Sequence, residues 1–294
     1  MVKKDRGFQI TAHMIMICMT VMVIFPVALL IMSSLSPESD IIKYGYSLIP
    51  KKIDVTAYRY IFGEGSVFHS YLVTIFVTLA GTAVSVVITT MISYTLTVPG
   101  LPGKRILSFY VLFTMLFSGG LVPSYMMWCN MFHIKNTIWA LLIPSLLCSA
   151  FHIMITRTYF QNNIPQEILE SARIDGMTEF GIFFKIVLPL SVPILATIGF
   201  MKALMYWNDW TNSLYYITDK KLVGIQALLN NMLTNAQYLA QSMDASMVAT
   251  DAAAIPSLTL RMAIAVVGML PMIVLYPFFQ KYYMKGLTVG AVKG

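Results

Sequence analysis

An all-α integral membrane protein with six transmembrane helices is what this sequence predicts, and three observations carry the prediction. The 294-residue chain is 57% hydrophobic and only 11% charged, where soluble domains carry about 25% charge. Its mean hydropathy is +0.72. Six apolar stretches, about Phe8–Met32, Tyr71–Val98, Ile106–Met127, Thr137–Ile155, Ile186–Trp207 and Leu260–Gln280, are close to the ~20 residues that span a hydrocarbon core about 30 Å thick. Helix is expected in each, because lipid offers no partner to a free amide or carbonyl.

In chain order, the first stretch has no Ala-x-Ala-like site after it and reads as a retained anchor rather than a cleaved leader. Residues 33–70 and 208–259 form loops on one side of the membrane, and residues 157–185 a loop on the other, all within one membrane domain covering 1–294. With the N-terminus in the cytoplasm, the inner segments hold eleven cations against five acids, while the outer segments balance eight with eight. The excess of inner Lys and Arg predicts both termini inside. The pI of 9.2 then reflects anionic lipid head groups and implies no nucleic-acid partner.

The second stretch carries Thr74, Thr78, Thr82, Ser85, Thr89, Ser93 and Thr97 at spacings of three and four, which aligns the hydroxyls along one helix face. Two readings stay open: close packing of helices through small residues, or the wall of a polar pathway. In the fifth stretch Lys202 is the clear cation inside a span, close enough to the outer end to snorkel. Trp207, Asn208 and Trp210 follow it, placed either as an interfacial aromatic belt or to stack on and bond a sugar. In the outer loop, Gln226–Met243 has apolar residues at helical spacing and predicts an amphipathic helix.

Several function classes drop out. All thirteen acids lie outside the spans, so the carboxylate relay of a gradient-driven transporter is missing. His13 and His152 read as packed neutral side chains. Cys18, Cys129 and Cys148 imply no disulfide framework, and His13, His69, His133 and His152 share no ligand spacing, so no metal site is expected. The nearest approach to a phosphate loop, PGLPGKR at 99–105, has Val98 where its first glycine belongs. No G-x-S-x-G elbow or H-E-x-x-H pair occurs, and no catalytic residue is assigned.

The stretch ESARIDGMTEFG, residues 170–181, is polar among apolar neighbours. Pro165 suits a first helical position, Glu167 the first turn, and Gly176 a left-handed stop. Ile168, Leu169 and Ala172 fall on one face, and Glu170 can pair with Arg173. A short amphipathic helix of roughly ten residues results, with a second start near Thr178. Three acids and one arginine do not suit an anionic membrane surface, so the helix fits a protein groove better.

These residues resemble a known signature. Glu170-Ser171-Ala172, three residues, Gly176, nine residues and Ile186-Val187-Leu188-Pro189 are similar to the E-A-A-x3-G-x9-I-x-L-P pattern of ABC importer permeases, with Ser171 replacing an alanine. LFSGGLVPSY (116–125), NTIWALLIP (136–144), WNDW (207–210) and the ending from Tyr276 to Gly294 resemble the carbohydrate-uptake, maltose-permease-like members that import complex oligosaccharides. The resemblance implies a type I importer permease fold, N-in and C-in, in the bacterial cell membrane. It implies a second homologous permease subunit, usually different, two ATPases that hold ATP and Mg, and an extracytoplasmic sugar-binding lipoprotein or periplasmic protein. This chain would bind no cofactor. Glu170, Ser171, Ala172, Asp175, Gly176, Ile186, Leu188 and Pro189 would couple to the ATPase, and Lys285, Gly286, Gly290 and Lys293 of the tail would reach it. Thr74, Thr78, Thr82, Ser85, Thr89, Trp207, Asn208 and Trp210 are the candidate translocation path. The alternative is a membrane scaffold or channel whose cytoplasmic helix recruits an unrelated partner.

Overall fold

The computed structural model of the chain describes residues 6–63, 65–242 and 257–291, and among them every regular element is helical. The chain divides into two compact units, Met1–Val67 with Leu229–Pro271 and Phe68–Leu228 with Met272–Gly294.

In the first unit, α1 (Arg6–Ser34) has no charged residue after Arg6 and leaves its apolar side chains exposed, as a lipid-facing helix should. The segment after α1 folds into α2 (Glu38–Tyr44) and α3 (Thr56–Gly63). Tyr58 reaches Ser34, hydroxyl to hydroxyl, at 2.7 Å. Glu38 caps the last long helix. Its carboxylate accepts from the N–H groups of Leu258 and Thr259 at 2.9 and 2.8 Å, at an end where orphan donors and the helix dipole both favour an anion.

The second unit holds α4 (Ser66–Thr95), α5 (Lys104–Leu116), α6 (Leu121–Met126) with the π-turn Met127–Met131, α7 (Trp139–Leu142) and α8 (Ala150–Asn163). There follow α9 (Gln166–Ile174), α10 (Glu179–Ile182) with the π-turn Phe183–Val187, α11 (Leu188–Leu190), α12 (Val192–Trp207) and α13 (Thr211–Tyr216). The helices α14 (Ile225–Ser242) and α15 (Ser257–Ala291) complete the chain. On α14, Leu229, Met232 and Ala236 are buried at the expected helical spacing.

Among the described residues three helices, Gly7–Ser34, Ser66–Thr95 and Leu258–Gln280, are long and apolar enough to cross a membrane alone. Two bent pairs also qualify: Lys104–Leu116 with Leu121–Met131 at 116°, and Glu179–Leu190 with Val192–Trp207 at 82°. The stretch Thr137–Ile155, expected as one helix, is instead a four-residue helix, a break and the start of α8. The breaks have local causes. Gly120 takes φ +83° and Ser145 +61°, both outside helical geometry. Pro144 offers no N–H to the turn, and Pro193 follows the non-helical Ser191.

Breaking a helix orphans carbonyls, and here side chains take them up. Tyr206 Oη donates to Leu142 O at 2.8 Å, Asn212 Nδ2 to Pro144 O at 3.0 Å, Lys202 Nζ to Leu146 O at 2.6 Å and Ser85 Oγ to Leu147 O at 2.7 Å. Lys202 is fully buried and does not snorkel, because the broken segment places an acceptor beside it. The hydroxyl face of α4 is likewise an internal seam. Thr74, Thr78, Ser85, Thr89 and Ser93 are buried, Ser93 donates to Ile153 O at 2.9 Å, and Thr74 Oγ1 accepts from Ile225 N–H at 2.8 Å.

Gly81 belongs to this seam. A Cβ there would lie 2.5 Å from Cζ of the buried Tyr206 ring. Gly81→Val should therefore destabilise the protein by about 1–3 kcal/mol, read as a lower thermal midpoint in detergent; an unchanged midpoint would show that the ring has room to move.

Candidate functional site

The polar insert folds as two short helices joined at one glycine. Pro165 precedes α9 as its N-cap, one position earlier than expected, and the helix runs nine residues. It closes in a Schellman turn: Met177 N–H donates to Ala172 O and Gly176 N–H to Arg173 O, both at 3.0 Å, with Gly176 at φ +80°. Thr178 then caps α10, its Oγ1 accepting from Gly181 N–H at 3.2 Å.

Leu169 and Ala172 seat α9 on a core of Tyr94, Phe160, Ile164, Ile182, Phe183 and Val187. Ile168, expected beside them, is 42% exposed, and Ile174 is 86% exposed. The outward surface of α9 thus combines Glu167, Ile168, Glu170, Ser171, Ile174 and Asp175, acids interleaved with bare aliphatic side chains. Such an apolar-acidic face is poorly served by water alone.

Arg173 does not pair with Glu170. Its Nε donates to Glu179 Oε1 at 2.7 Å, and the Tyr94 hydroxyl donates to Glu179 Oε2 at 2.5 Å. The Gly176 turn carries the chain back, so a carboxylate six positions on reaches the guanidinium. The nearer Glu170 stays in solvent. Tyr94 also packs its ring on Phe183 at 5.5 Å between centroids. The end of α9, the start of α10 and the C-terminal end of α4 are therefore tied at one carboxylate. The bond from Arg173 holds the Glu179 carboxyl below its ordinary value, against the opposing effect of burial. Ile186, Leu188 and Pro189 lie in the π-turn and α11, just before the 82° bend that leads into α12.

The remaining sequence-predicted residues are scattered. Trp207 is 2% exposed, with its ring 6.1 Å from Tyr71, so it serves neither an interfacial belt nor an open sugar site. Asn208 donates back to Leu204 O at 3.0 Å, and Trp210 is exposed. Thr82 and Thr89 stay inside the seam of α4. The backbone of Lys285, Gly286 and Gly290 continues α15, and Lys293 lies outside the described residues.

The family of binding-protein-dependent transport system inner membrane components matches residues 70–289. The chain belongs to this family. It is thus a multi-pass membrane permease, a transport subunit rather than an enzyme, working with a partner permease, ATPases and a substrate-binding protein. The polygalacturonan/rhamnogalacturonan transport system permease protein YtcP of Bacillus subtilis is 36% identical over 291 residues, 99% of this chain and 100% of that relative. The arabinooligosaccharides transport system permease protein AraQ of the same organism is 28% identical, over 98% of this chain and 96% of its own. Among solved structures, a bacterial ABC transporter involved in the import of the acidic polysaccharide alginate superimposes with a TM-score of 0.77 at 26% identity, covering 96% of this permease and 99% of that chain.

The Arg173–Glu179 pair of the permease has a definite pH signature. A depressed carboxyl pKa contributes stability above the unfolded value near 4.3 and loses it as pH falls through the folded value. Solvent reaches both groups, which limits the pair to about 1 kcal/mol or less. The thermal midpoint of Glu179→Gln should fall below wild type by a constant margin at neutral pH, and the margin should close below the ordinary carboxylate range. A margin independent of acid would remove the ion pair as its cause.

Proposed function

We propose that this permease passes an oligosaccharide, handed over by an extracytoplasmic binding protein, and that α9 is its coupling helix to a cytoplasmic ATPase. One observation carries the reading: α9 turns an acidic and aliphatic face outward while Leu169 and Ala172 fix it to the core and Arg173, through Glu179, ties it to Tyr94. A helix held so firmly on one side and bare on the other is a lever with a socket elsewhere. The sugar class draws on the substrates for which its relatives are named.

On this reading both termini lie in the cytoplasm, and a companion permease completes a heterodimer carried by two ATPases that hold ATP and Mg. ATP closes the ATPase pair, the two coupling helices approach, and differential contact shifts the permease between its two states. Glu170, Ser171 and Asp175 face the ATPase. Ala172 anchors the helix, Gly176 makes its turn, and Ile186, Leu188 and Pro189 pass the movement to the bend before α12. Lys285, Gly286, Gly290 and Lys293 approach the same partner. The loops 33–70 and 208–259 face the binding protein, which is a lipoprotein or a periplasmic protein.

Glu170→Lys should weaken ATPase co-purification by about tenfold, the factor set by 1.4 kcal/mol of lost contact; wild-type assembly and uptake with an oligosaccharide panel would exclude the contact. Gly176→Val should cost about 1–2 kcal/mol through the left-handed conformation alone, since a Cβ there meets nothing within 4 Å. Gly176→Asn, which tolerates that conformation, should recover transport. Equal loss in both variants would point away from the backbone.

A further inference from the structure

We infer that this chain holds one neutral sugar ring in a polar cavity where three interruptions of its helices converge, an inference that rests on the permease reading and adds a ligand site to it. The cavity has a volume of about 260 Å³. Its walls come from the α5–α6 break and the start of α6 (Gly120, Ser124), the α7–α8 break (Ser145), and the turn after α12 with the α13 that follows it (Asp209, Asn212, Tyr215). Drug-sized ligand pockets run from about 300 to 1,000 Å³. This one has room for a single ring, as a chain threaded unit by unit requires.

Convergence of the breaks is the first argument. Non-helical backbone at membrane depth is tolerated only where it is buried in protein or lines a watery space, and interrupted helices in transporters surround the bound solute. Gly120 and Ser145, both in the wall, have positive φ. A serine held in that conformation is strained, and such strain collects at ligand sites.

The chemistry of the wall is the second. Asp209 accepts from Thr211 N–H, Thr211 Oγ1 and Asn212 N–H, all on Oδ1, and its carboxylate belongs to the cavity wall. Asn212 spends its Nδ2 on Pro144 O and keeps its own carbonyl. Ser124 donates to Gly120 O at 2.7 Å and can still accept. The wall is therefore rich in acceptors and suits sugar hydroxyls, while the half-exposed Tyr215 ring offers an apolar face for a sugar to lie against.

Charge fixes the class. Among the described residues no Lys, Arg or His lines the cavity. Lys202 is behind the wall, fully buried with its ammonium on the Leu146 carbonyl. A uronate carboxylate would meet Asp209 without a counter-charge, at the cost of like charges in contact. A neutral unit meets acceptors and hydroxyls with no such repulsion.

The test uses the whole transporter, reconstituted with its companion subunits. Ser124→Cys is introduced after Cys18, Cys129 and Cys148 are replaced by serine, and modification by a small methanethiosulfonate is timed. Arabinotriose, raffinose and maltotriose are the neutral probes, trigalacturonate the acidic one. A neutral probe is expected to slow modification about threefold at twice its dissociation constant, with no effect of trigalacturonate. Asp209→Asn, which keeps the acceptor used by Thr211 and Asn212, should remove that protection. If Ser124→Cys fails to assemble, Tyr215→Cys on the same wall replaces it. Protection by trigalacturonate, protection that survives Asp209→Asn, or no protection by a probe the complex transports would each overturn the site. All three leave the permease reading intact; that reading fails on another readout, a purified assembly without an ATPase.

Discussion

The second unit depends on satisfying backbone carbonyls that its own helices abandon. An unpaired peptide group in hydrocarbon costs several kcal/mol, which is comparable with the whole stability of a domain. Four such groups occur within six residues of the α7–α8 region, and side chains of α4, α12 and α13 meet each of them. Packing, register and the choice of polar residues in these helices follow from that requirement. Lys202 illustrates the balance. Burying an ammonium is expensive, yet here it is a donor with no apolar substitute.

A similar separation of duties organises the α9–α10 end of this unit. Buried Leu169 and Ala172 fix where α9 lies, the Schellman turn at Gly176 fixes its length, and the carboxylate of Glu179 fixes its angle to α4 and α10. None of these groups is on the exposed acidic face. On the coupling role proposed for α9, recognition of a partner and transmission of its movement would rest on different side chains, and one could vary without the other.

The membrane class and the polar α9–α10 segment were legible in the sequence because both are written in composition and short-range spacing. Hydropathy needs no knowledge of neighbours, and the pattern from Glu170 to Pro189 lies within one stretch of chain. What hydropathy does not see is conformation. Gly119-Gly120, Pro144-Ser145 and Pro193 are visible breakers, but a window averaged over some twenty residues runs through them, so Thr137–Ile155 looked like one helix. Long-range partners were equally hidden. Glu170 is three residues from Arg173, and only the turn at Gly176 makes Glu179 the better partner. Lys202 looked free to snorkel because nothing local announces that Leu146 offers its carbonyl. Trp207 looked interfacial for its place at a span end, whereas its indole turns inward on Tyr71. The polar wall at Asp209 left a weak trace, an acid directly after Asn208 in a tryptophan-rich mouth, which composition alone does not separate from a turn.

The interrupted fourth stretch makes the fifth its complement rather than its neighbour. Tyr206 and Lys202 come from α12 and Asn212 from just beyond it, so a chain cut before residue 200 would strand three peptide oxygens with nothing to replace their donors. The two stretches form one inseparable unit of membrane insertion, and a graft or domain exchange drawn between them would divide the protein at its least divisible point.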